Sequence, residues 1–570
     1  MKYIVVVGGV LSGIGKGVAT ASIARMLKEY GFKTTAIKID PYINYDAGTL
    51  RPTEHGEVWV TDDGGEIDQD LGNYERFLGE NLPKRNNITT GQIYKAVIDR
   101  ERRGEYLGQT VQFIPHIPNE IKSRVRDACG GNDVCLIEIG GTIGDYENIP
   151  FLFAMKSMER EEGKENFIYV LLTYLPIPSH IHEMKTKPTQ QAIKSLSQHG
   201  IFPDFILCRS EVPLDLVRKK KIETYANIDA EFVISAPDVE TIYQVPLNFE
   251  KENLSIKIMT KLALTPRRKP DWSDWQILVK RILQPSRTID IAIVGKYIDV
   301  GEFTLTDSYI SVNQAVEHAG AHTDTQLKIN WVDAKRLEEE EPAKVLNGFS
   351  GIIVPGGFGN KGIEGKINAI RFAREQGIPF LGLCLGMQLA VVEFARNVLG
   401  MVKANSTEFD PKTPYPVIDL LPKQKEILQI KKYGASMRLG AYVAQVIDGV
   451  KVFELYKKTG RMMKDKETVG HLDPFRVGNV QLNDPFVVER HRHRYEVNPV
   501  YIDSFEKEGM IFSGYHVSIE NEYLMEFVEL KDHIYFVATQ AHPEFKSRIE
   551  DPAPLFLGFA EKVVEYAKKD

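Results

Sequence analysis

Apolar runs that alternate with amphipathic segments dominate the first 264 residues of the chain. Continuous apolar runs separated by helical segments are typical of strands buried on both faces of a mostly parallel sheet. We expect such strands at residues 3–10, 34–40, 134–139, 167–175, 204–208 and 231–236. The pattern therefore predicts an α/β domain.

The alternation stops at residues 265–288, where Pro266, Pro270 and Pro285 flank a short helix-like stretch. Clustered prolines and polar residues between two periodic regions are typical of a linker. A second alternation follows, with buried strands expected at residues 289–295, 328–332, 351–355, 379–383 and 535–539. We predict two α/β domains, at residues 1–264 and 289–570, joined by a linker at 265–288.

Charge and composition narrow the class of protein. The 71 basic and 78 acidic residues give a net charge of -7, which argues against a general nucleic-acid binder. The apolar N-terminal run ends at Gly8 and Gly9, too early for a signal peptide, and we find no apolar run long enough to span a membrane. Four cysteines without a Cys-x-x-Cys pair predict no disulfide framework and favour a cytoplasmic protein.

Cys384 lies in a small-residue turn, Gly-Leu-Cys-Leu-Gly, between an apolar run and a segment with helical spacing. This arrangement is the strand–turn–helix elbow that presents a nucleophile, and the helix N-terminus favours a thiolate. Far downstream, His542 and Glu544 offer a base and a carboxylate to orient it. The alternative is a small buried core cysteine. The flanking glycines and the His-x-Glu pair favour a Cys-His-Glu site.

A glycine-rich loop follows the first predicted strand and ends in Gly15, Lys16 and Gly17 before a helical segment. Strand, glycine-rich loop with lysine, then helix is the arrangement that holds phosphate on backbone N–H groups. Gly17 stands where a hydroxyl residue usually holds magnesium, so any Mg²⁺ needs carboxylates from elsewhere. The alternative is a strand–helix turn without a ligand.

Two carboxylates are candidates for that metal. Glu138 ends an apolar strand, where an acid is costly unless it is paired or bound to metal. Asp70 lies in a polar segment and is the weaker candidate on sequence alone. Residues 185–190, Lys-Thr-Lys-Pro-Thr-Gln, combine cations, hydroxyls and an amide that suit a polyphosphate, although a polar loop is the ordinary alternative.

Together these segments resemble the CTP synthase family over essentially the whole chain. The resemblance rests on KIDPYIN at 38–44, HGEV at 55–58, GNYERF at 72–77, EIGGTIG at 138–144, KTKPTQ at 185–190, PGGFG at 355–359, GLCLGMQ at 382–388, NSTEF at 405–409 and RHRHRYE at 490–496. It implies a phosphate-loop amidoligase domain followed by a class I glutamine amidotransferase domain. The implied reaction is ATP-dependent amination of UTP to CTP through a 4-phosphoryl intermediate, with ammonia released from glutamine.

The resemblance also implies the nucleotide and metal contacts. ATP would contact Gly13, Ile14, Gly15, Lys16, Gly17, Val18, Asp70, Pro237, Asp238 and Val239. UTP, or CTP as a feedback inhibitor, would contact Ser12, Asp145, Tyr146, Glu147, Lys185, Thr186, Lys187, Pro188, Thr189, Gln190 and Lys221. Asp70 and Glu138 would hold Mg²⁺, and Lys16 and Lys38 would neutralise the transferred phosphate.

In the second domain the resemblance implies that Cys384 attacks the glutamine amide, that His542 moves the proton and that Glu544 orients His542. Glutamine would be held by Gly357, Leu385, Gly386, Met387, Gln388, Glu408 and Arg494, with the N–H groups of Gly357 and Leu385 stabilising the oxyanion.

The family further implies activation by GTP through a lid at residues 437–440, homotetramers with nucleotide sites at subunit contacts, and filaments. Residues 180–184 and 457–479 depart from the family pattern, and the second departure bears on GTP control.

Two other functions fit part of the pattern. A cobyrinic or cobyric acid amidase would activate a carboxylate instead of a pyrimidine, and the 185–190 segment argues against it. A nucleotide-sensing scaffold with an inactive glutaminase is disfavoured by the intact Cys384, His542 and Glu544.

Overall fold

The computed structural model describes residues 1–9, 11–51, 56–296, 299–300, 303–304, 306–357, 359–420 and 437–568. Its contacts divide the chain into two compact units. Unit 1 comprises residues 1–49 and 67–279, and unit 2 comprises residues 50–66 and 280–570. Val10 of the first expected strand, and His55 and Phe358 of the family-like segments, lie outside the described residues.

Unit 1 is built on a seven-stranded sheet in the order β5-β2-β6-β1-β7-β8-β9, whose neighbouring strands are parallel. The prediction of a mostly parallel sheet is confirmed. The sheet strands are β1 Lys2–Gly8, β2 Thr34–Asp40, β5 Asn87–Thr89, β6 Val134–Ile139, β7 Phe167–Tyr174, β8 Phe205–Ser210 and β9 Val233–Pro237. A separate two-stranded pair is formed by β3 Val58–Val60, which belongs to unit 2, and β4 Glu66–Asp68.

Helices cover this sheet, because its strands are apolar on both faces. They are α1 Lys16–Glu29, α2 Asp70–Leu78, α3 Thr90–Arg102, α4 Phe113–Cys129, α5 Ile149–Glu162, α6 Lys187–Ser197, α7 Leu216–Ala226, α8 Val245–Lys251, α9 Leu254–Lys261 and α10 Ser273–Leu283. Trp275 of α10 is buried in unit 1 and donates to the Tyr243 carbonyl at 2.8 Å.

Unit 2 contains a nine-stranded sheet in the order β13-β10-β14-β15-β23-β22-β21-β18-β19. The first five strands are parallel and the remaining four are antiparallel. The strands that follow residue 280 are β10 Thr288–Gly295, β11 Asp299–Val300, β12 Phe303–Thr304, β13 Gln326–Asp333, β14 Ile352–Val354, β15 Phe380–Leu383, β16 Ala404–Ser406, β17 Tyr415–Leu420, β18 Arg438–Val446, β19 Phe486–His493, β20 Tyr495–Val497, β21 Met510–Val517, β22 Tyr523–Leu530 and β23 Phe536–Thr539.

The helices of unit 2 pack on both faces of this sheet, with α15 directly behind β15. They are α11 Ile310–His322, α12 Arg336–Glu339, α13 Pro342–Leu346, α14 Ile363–Gln376, α15 Leu385–Asn397, α16 Lys451–Lys458, α17 Arg461–Thr468, α18 Pro474–Val477, α19 Ile502–Lys507 and α20 Pro554–Tyr566. Within the described part of the chain, no helix combines the length and apolar character needed to cross a membrane.

A segment of the first half of the sequence packs in unit 2. Asp62 accepts from Arg490 at 2.6 Å, and Glu66 accepts from Arg492 at 2.8 Å. The fully buried Trp59 ring lies 5.1 Å from the Phe545 ring. These contacts support β19 from outside the sequence range 289–570.

The four cysteines form one disulfide and no framework, and this one bond was not predicted. Cys129 at the end of α4 and Cys135 in β6 are joined, with their Cα atoms 5.6 Å apart. The short turn at residues 130–133 returns the chain from helix to strand and brings the two sulfurs together. Cys208 and Cys384 are free and buried.

Candidate active sites

The phosphate loop of unit 1 leads directly into α1. Gly15 caps this helix with a left-handed backbone (φ 89°), which glycine adopts without strain. Lys16 is the first helical residue, and its Nζ donates to the Gly141 carbonyl at 2.8 Å. Burial lowers the pKa of Lys16, against the opposing effect of Glu138. A lysine placed here can meet a phosphate held on the helix N-terminus.

The position of Asp70 explains why the loop has Gly17 in place of a residue with a hydroxyl group. A Cβ atom at this position would lie 2.2 Å from Asp70 Oδ1, closer than any real contact allows. Asp70 begins α2, which packs against α1. A carboxylate therefore lies where phosphate loops usually place the magnesium-binding hydroxyl, and glycine is the residue that leaves room for it.

Lys38 links the two predicted metal ligands. Its Nζ donates to Glu138 Oε1 at 2.9 Å and to the Asp70 carboxylate, and it lies 3.8 Å from Asp40. Tyr74 donates to the other Glu138 oxygen. Burial opposes the charge on Lys38, but the surrounding carboxylates outweigh burial and raise its pKa above the usual value.

These residues fit magnesium bound together with a nucleotide. Such Mg²⁺ ions need only one or two protein carboxylates, because phosphate and water supply the other oxygens. Asp70 and Glu138 converge on one ammonium group and supply two carboxylates. Among the described residues, no three or more His, Cys, Asp or Glu side chains form a metal site by themselves.

An apolar cavity lies beside the phosphate loop at the carboxyl ends of β8 and β9. Of the predicted ATP contacts, Ile14, Gly15, Val18, Pro237, Asp238 and Val239 line it. Arg209, Ile242, Asn248 and Phe249 also line it and were missed, because nothing in their local sequence marks them. Arg209 pairs with Asp238 at 2.9 Å. The cavity suits a flat aromatic group next to a bound phosphate.

The predicted UTP contacts lie in the segments after β6 and β7 and in the first turn of α6, with Ser12 in the phosphate loop and Lys221 in α7. Asp145, Tyr146 and Glu147 follow β6 and are exposed, whereas Thr189 in α6 is buried and bonds Thr173 of β7 at 2.6 Å. Ser12, Lys187 and Lys221 are exposed; Lys185, Pro188 and Gln190 are half-buried; Thr186 is buried.

Glu183 brings two of these cations together. Its pKa is lowered chiefly by a hydrogen bond from Lys185, with further contributions from Arg218 and Lys221. The Lys185 Nζ to Glu183 Oε2 distance is 2.8 Å. Glu183 lies in the segment 180–184, which departs from the family pattern. It places an anion among cations that were predicted to bind phosphate.

In unit 2, Cys384 has the strained backbone of a nucleophile elbow. Its φ of 50° and ψ of -101° place a non-glycine residue outside the ordinary regions, between β15 and α15. The elbow needs glycine at position 386, since a Cβ there would lie 2.1 Å from the Val354 carbonyl oxygen. The sulfur therefore sits at the carboxyl edge of the sheet, in front of a helix N-terminus.

His542 and Glu544 complete the cluster. His542 Nδ1 lies 2.7 Å from Glu544 Oε1, and a Cβ at Gly356 would touch both His542 (2.9 Å) and Cys384 (3.6 Å). Burial disfavours the imidazolium, but Glu544 and the hydrogen-bonded Cys384 outweigh burial and raise the pKa of His542 to about 10. The cluster thus favours a protonated His542 beside the Cys384 sulfur.

The residues predicted to hold glutamine surround this cluster. A Cβ at Gly357 would lie 3.8 Å from the Leu385 side chain, so the two residues predicted to supply the oxyanion donors are neighbours. Gln388 donates to the Tyr495 carbonyl at 3.0 Å. Burial raises the pKa of Glu408, against Lys296 and Arg494, which both lower it. Gly386 and Met387 are buried in the first turn of α15.

Two lysines that sequence reasoning missed lie next to Gly357. Lys366 Nζ donates to the Pro355 carbonyl at 3.3 Å, and Lys296 donates to the Gly359 carbonyl. Burial lowers the pKa of Lys366 to about 7 and that of Lys296 to about 8. A lysine in a helix usually faces solvent, which is why α14 gave no sequence signal for Lys366.

The predicted lid segment is partly fixed in the sheet. Arg438 begins β18, is buried, and pairs with Glu526 at 2.8 Å and Glu496 at 3.2 Å. The departure at 457–479 also packs on the sheet. Arg461 pairs with Asp465 at 3.0 Å, and Asp465 accepts from the Val488 backbone of β19 at 2.8 Å.

Comparisons with known proteins relate both parts of the chain to known families. Residues 2–264 match the family model "CTP synthase N-terminus", and residues 304–562 match "Glutamine amidotransferase class-I". The CTP synthase of Pyrococcus abyssi is 51% identical over 568 residues, covering 100% of this chain and 99% of the relative. That of Methanocaldococcus jannaschii is 50% identical, covering 98% and 97%.

Among solved structures, the glutaminase domain of Trypanosoma brucei CTPS with bound acivicin is 35% identical, with a TM-score of 0.41, and the match covers 49% of this chain and 94% of that one. Full-length matches at half identity, together with the two family models, establish the relationship. The chain belongs to the CTP synthase family of glutamine-hydrolysing ligases.

Proposed function

We propose that the chain converts UTP to CTP in two coupled reactions. In unit 1, the γ-phosphoryl group of ATP is transferred to the 4-oxygen of UTP, which turns a poor leaving group into phosphate. Ammonia then attacks C4 and displaces that phosphate, giving CTP, ADP and phosphate. In unit 2, glutamine is hydrolysed to glutamate and supplies the ammonia.

The residues of the phosphate loop have distinct roles in the first reaction. Backbone N–H groups at Gly13, Gly15 and Gly17 bind the ATP phosphates, and the apolar cavity lined by Pro237 and Val239 holds the adenine. Lys16 and Lys38 neutralise the charge of the transferred phosphoryl group. Bound Mg²⁺, held by Asp70 and Glu138, would supply charge neutralisation at the phosphates.

The pyrimidine nucleotide is proposed to lie against residues 145–147 and against residues 185–190 at the start of α6. Lys185, Lys187 and Lys221 bind its triphosphate, and Glu183 leaves Lys185 when phosphate arrives. CTP competes with UTP for these cations, which explains feedback inhibition. Because several of these side chains are exposed, a second copy of the chain completes the site in a homotetramer, and tetramers can stack into filaments.

In the second reaction, Cys384 attacks the glutamine amide carbon and forms a thioester. Protonated His542 gives its proton to the departing ammonia, and Glu544 keeps the ring oriented. The Gly357 and Leu385 N–H groups stabilise the oxyanion, each worth about 3 kcal/mol. Water activated by His542 then hydrolyses the thioester. Gln388, Glu408 and Arg494 hold the polar ends of glutamine.

The 2.7 Å contact between His542 and Glu544, beside a strained Cys384, is the observation that carries this proposal. The test compares glutamine with ammonium as nitrogen donor in the presence of UTP, ATP and Mg²⁺. We expect Cys384→Ala to abolish glutamine-dependent CTP formation and to keep ammonium-dependent formation. Cys208→Ala is the matched control, since Cys208 is the other free buried cysteine.

Transfer of label gives an independent readout. Glutamine labelled with ¹⁵N on its side-chain amide is expected to label the exocyclic amine of CTP. No CTP with either nitrogen donor would contradict the proposal, as would equal glutamine-dependent activity in Cys384→Ala and the parent.

Regulation by GTP is a separate part of the proposal. GTP is expected to raise glutamine-dependent CTP formation and to leave ammonium-dependent formation unchanged, because it acts on the glutaminase reaction. The segment at 437–440 is the proposed lid, and Arg438 is its anchor in β18. An equal effect of GTP with both nitrogen donors would contradict this. Light scattering with and without UTP and ATP tests the tetramer.

A further inference from the structure

Gln540 lies beside the nucleophile, although no sequence feature marks it. It directly follows β23, and Cys384 directly follows the neighbouring parallel strand β15. The Cys384 backbone N–H donates to the Thr539 carbonyl at 2.7 Å, which fixes the two strand ends together. The Gln540 side chain is fully buried, and its Nε2 lies 3.6 Å from Cys384 Sγ.

A chain of hydrogen bonds determines which end of the Gln540 amide faces the sulfur. The Tyr495 carbonyl can only accept, so the Gln388 atom 3.0 Å from it is the amide nitrogen. The same nitrogen donates to Gln540 at 3.1 Å, so the Gln540 atom that faces Gln388 is the carbonyl oxygen. The NH₂ group of Gln540 therefore faces Cys384.

A hydrogen-bond donor at this place matters because the backbone group that contacts the sulfur, the Arg492 carbonyl, is an acceptor. The Arg492 carbonyl oxygen lies 4.0 Å from Cys384 Sγ and disfavours a negative charge there. The titratable groups that face the sulfur are His542, after β23, and Lys366, from α14. Gln540 adds a neutral donor that does not itself titrate.

We propose that Gln540 is a positioning residue of the glutaminase site, which donates a hydrogen bond to the Cys384 thiolate and joins it to the glutamine-binding Gln388. The relay runs from the Tyr495 carbonyl through Gln388 and Gln540 to the sulfur. This inference rests on the proposed function of Cys384. It predicts that loss of the donor makes the Cys384 thiolate harder to form and has a smaller effect on the KM for glutamine.

Two substitutions separate the two bonds that Gln540 makes. Gln540→Glu keeps an acceptor for Gln388 but turns the group facing the sulfur into an anion. Gln540→Met removes both bonds without adding a buried charge, so it remains informative if the first variant fails to fold. Gln481→Met is the control, because Gln481 is exposed. Thermal unfolding and ammonium-dependent CTP formation report the folded state of each variant.

The readout is the pH profile of glutaminase inactivation by iodoacetamide, which a purely structural role does not move. We expect the midpoint to rise by at least one pH unit in both variants, and more in Gln540→Glu. At pH 7 the inactivation rate and kcat for glutamine should fall at least tenfold, with KM changed less than threefold. Gln481→Met should behave like the parent.

The results distinguish the two proposals. If Cys384→Ala still hydrolyses glutamine, the proposed function fails. If Cys384 is essential but folded Gln540→Met has the parent's pH profile, the role of Gln540 alone is overturned. A change confined to KM would equally overturn it, because Gln540 would then act only through Gln388.

Discussion

Lys38 and Glu138 are direct register partners on the neighbouring parallel strands β2 and β6, and Lys38 Nζ lies 2.9 Å from Glu138 Oε1. Both side chains are buried, so each charge depends on the other for compensation. Asp70 reaches the same ammonium group from the start of α2. The arrangement holds two carboxylates beside the phosphate loop, and the ammonium group of Lys38 pairs with both of them.

Substitution of Glu138 tests this arrangement. In Glu138→Gln, Lys38 keeps Asp70 and Asp40, so the free energy of unfolding should fall by only about 1–3 kcal/mol. The Mg²⁺ concentration for half-maximal ammonium-dependent CTP formation should rise at least tenfold. Glu159→Gln is the matched control, as Glu159 is a buried carboxylate paired with Lys156. An unchanged Mg²⁺ dependence in Glu138→Gln would remove this carboxylate from the metal site.

Restoring a side chain at position 17 should harm the enzyme. A Cβ there would lie 2.2 Å from Asp70 Oδ1, so Gly17→Ala must displace Asp70. Overpacking of this kind costs about 1–3 kcal/mol. We expect at least a tenfold loss of ammonium-dependent CTP formation with glutamine hydrolysis retained. Gly470→Ala is the control, since a Cβ at Gly470 meets no atom within 4 Å. Equal activity of both variants would show that Asp70 need not stay in place.

The pH dependence of glutamine hydrolysis should depend on Glu544. Burial lowers the pKa of His542, and Glu544 is the largest of the groups that raise it, to about 10 overall. In Glu544→Gln the pKa of His542 therefore falls, and the imidazolium is lost at lower pH. The alkaline limb of kcat/KM should move to lower pH by at least one unit, and kcat at pH 8 should fall at least tenfold. An unmoved alkaline limb would argue that His542 is not the titrating acid.

The bond between Cys129 and Cys135 should contribute measurable stability. A disulfide that closes a loop of this length lowers the entropy of the unfolded chain by an amount worth about 2 kcal/mol. Reductant should therefore lower the free energy of unfolding of the parent, measured by urea denaturation, by roughly that amount. The double variant Cys129→Ala, Cys135→Ala should be insensitive to reductant. A parent insensitive to reductant would show that the bond does not form in solution.

Most strands of the two parallel regions were predictable because they are largely apolar runs that end at glycine, proline or a polar residue, whereas the short parallel strand β5, Asn-Ile-Thr, was not predicted. The sequence also indicated that Glu138 needs a partner, since an acid in an apolar strand is costly, and Lys38 fills that role in the structure. The antiparallel strands β18 to β22 were not predicted. They mix polar and apolar residues, and buried charges such as Arg438 and Glu526 break the pattern.

Contacts between distant parts of the chain explain the remaining omissions. Gln540 acts through a buried side chain whose partner Gln388 lies 152 residues away in sequence, and Lys366 is a buried lysine in a helix where a solvent-facing side chain is the usual expectation. Cys129 and Cys135 gave no signal because their pairing depends on a turn that returns a helix to a strand. Gly17 was recognised as a departure from the phosphate-loop pattern, but only the position of Asp70 gives its reason.

The packing of residues 50–66 with unit 2 affects how this protein can be divided. A glutaminase expressed from the linker onwards would lack Trp59, whose ring packs against Phe545. It would also lack Asp62 and Glu66, which accept hydrogen bonds from Arg490 and Arg492. An exchange of halves between relatives therefore needs three junctions instead of one, so that Trp59, Asp62 and Glu66 travel with the strand they support.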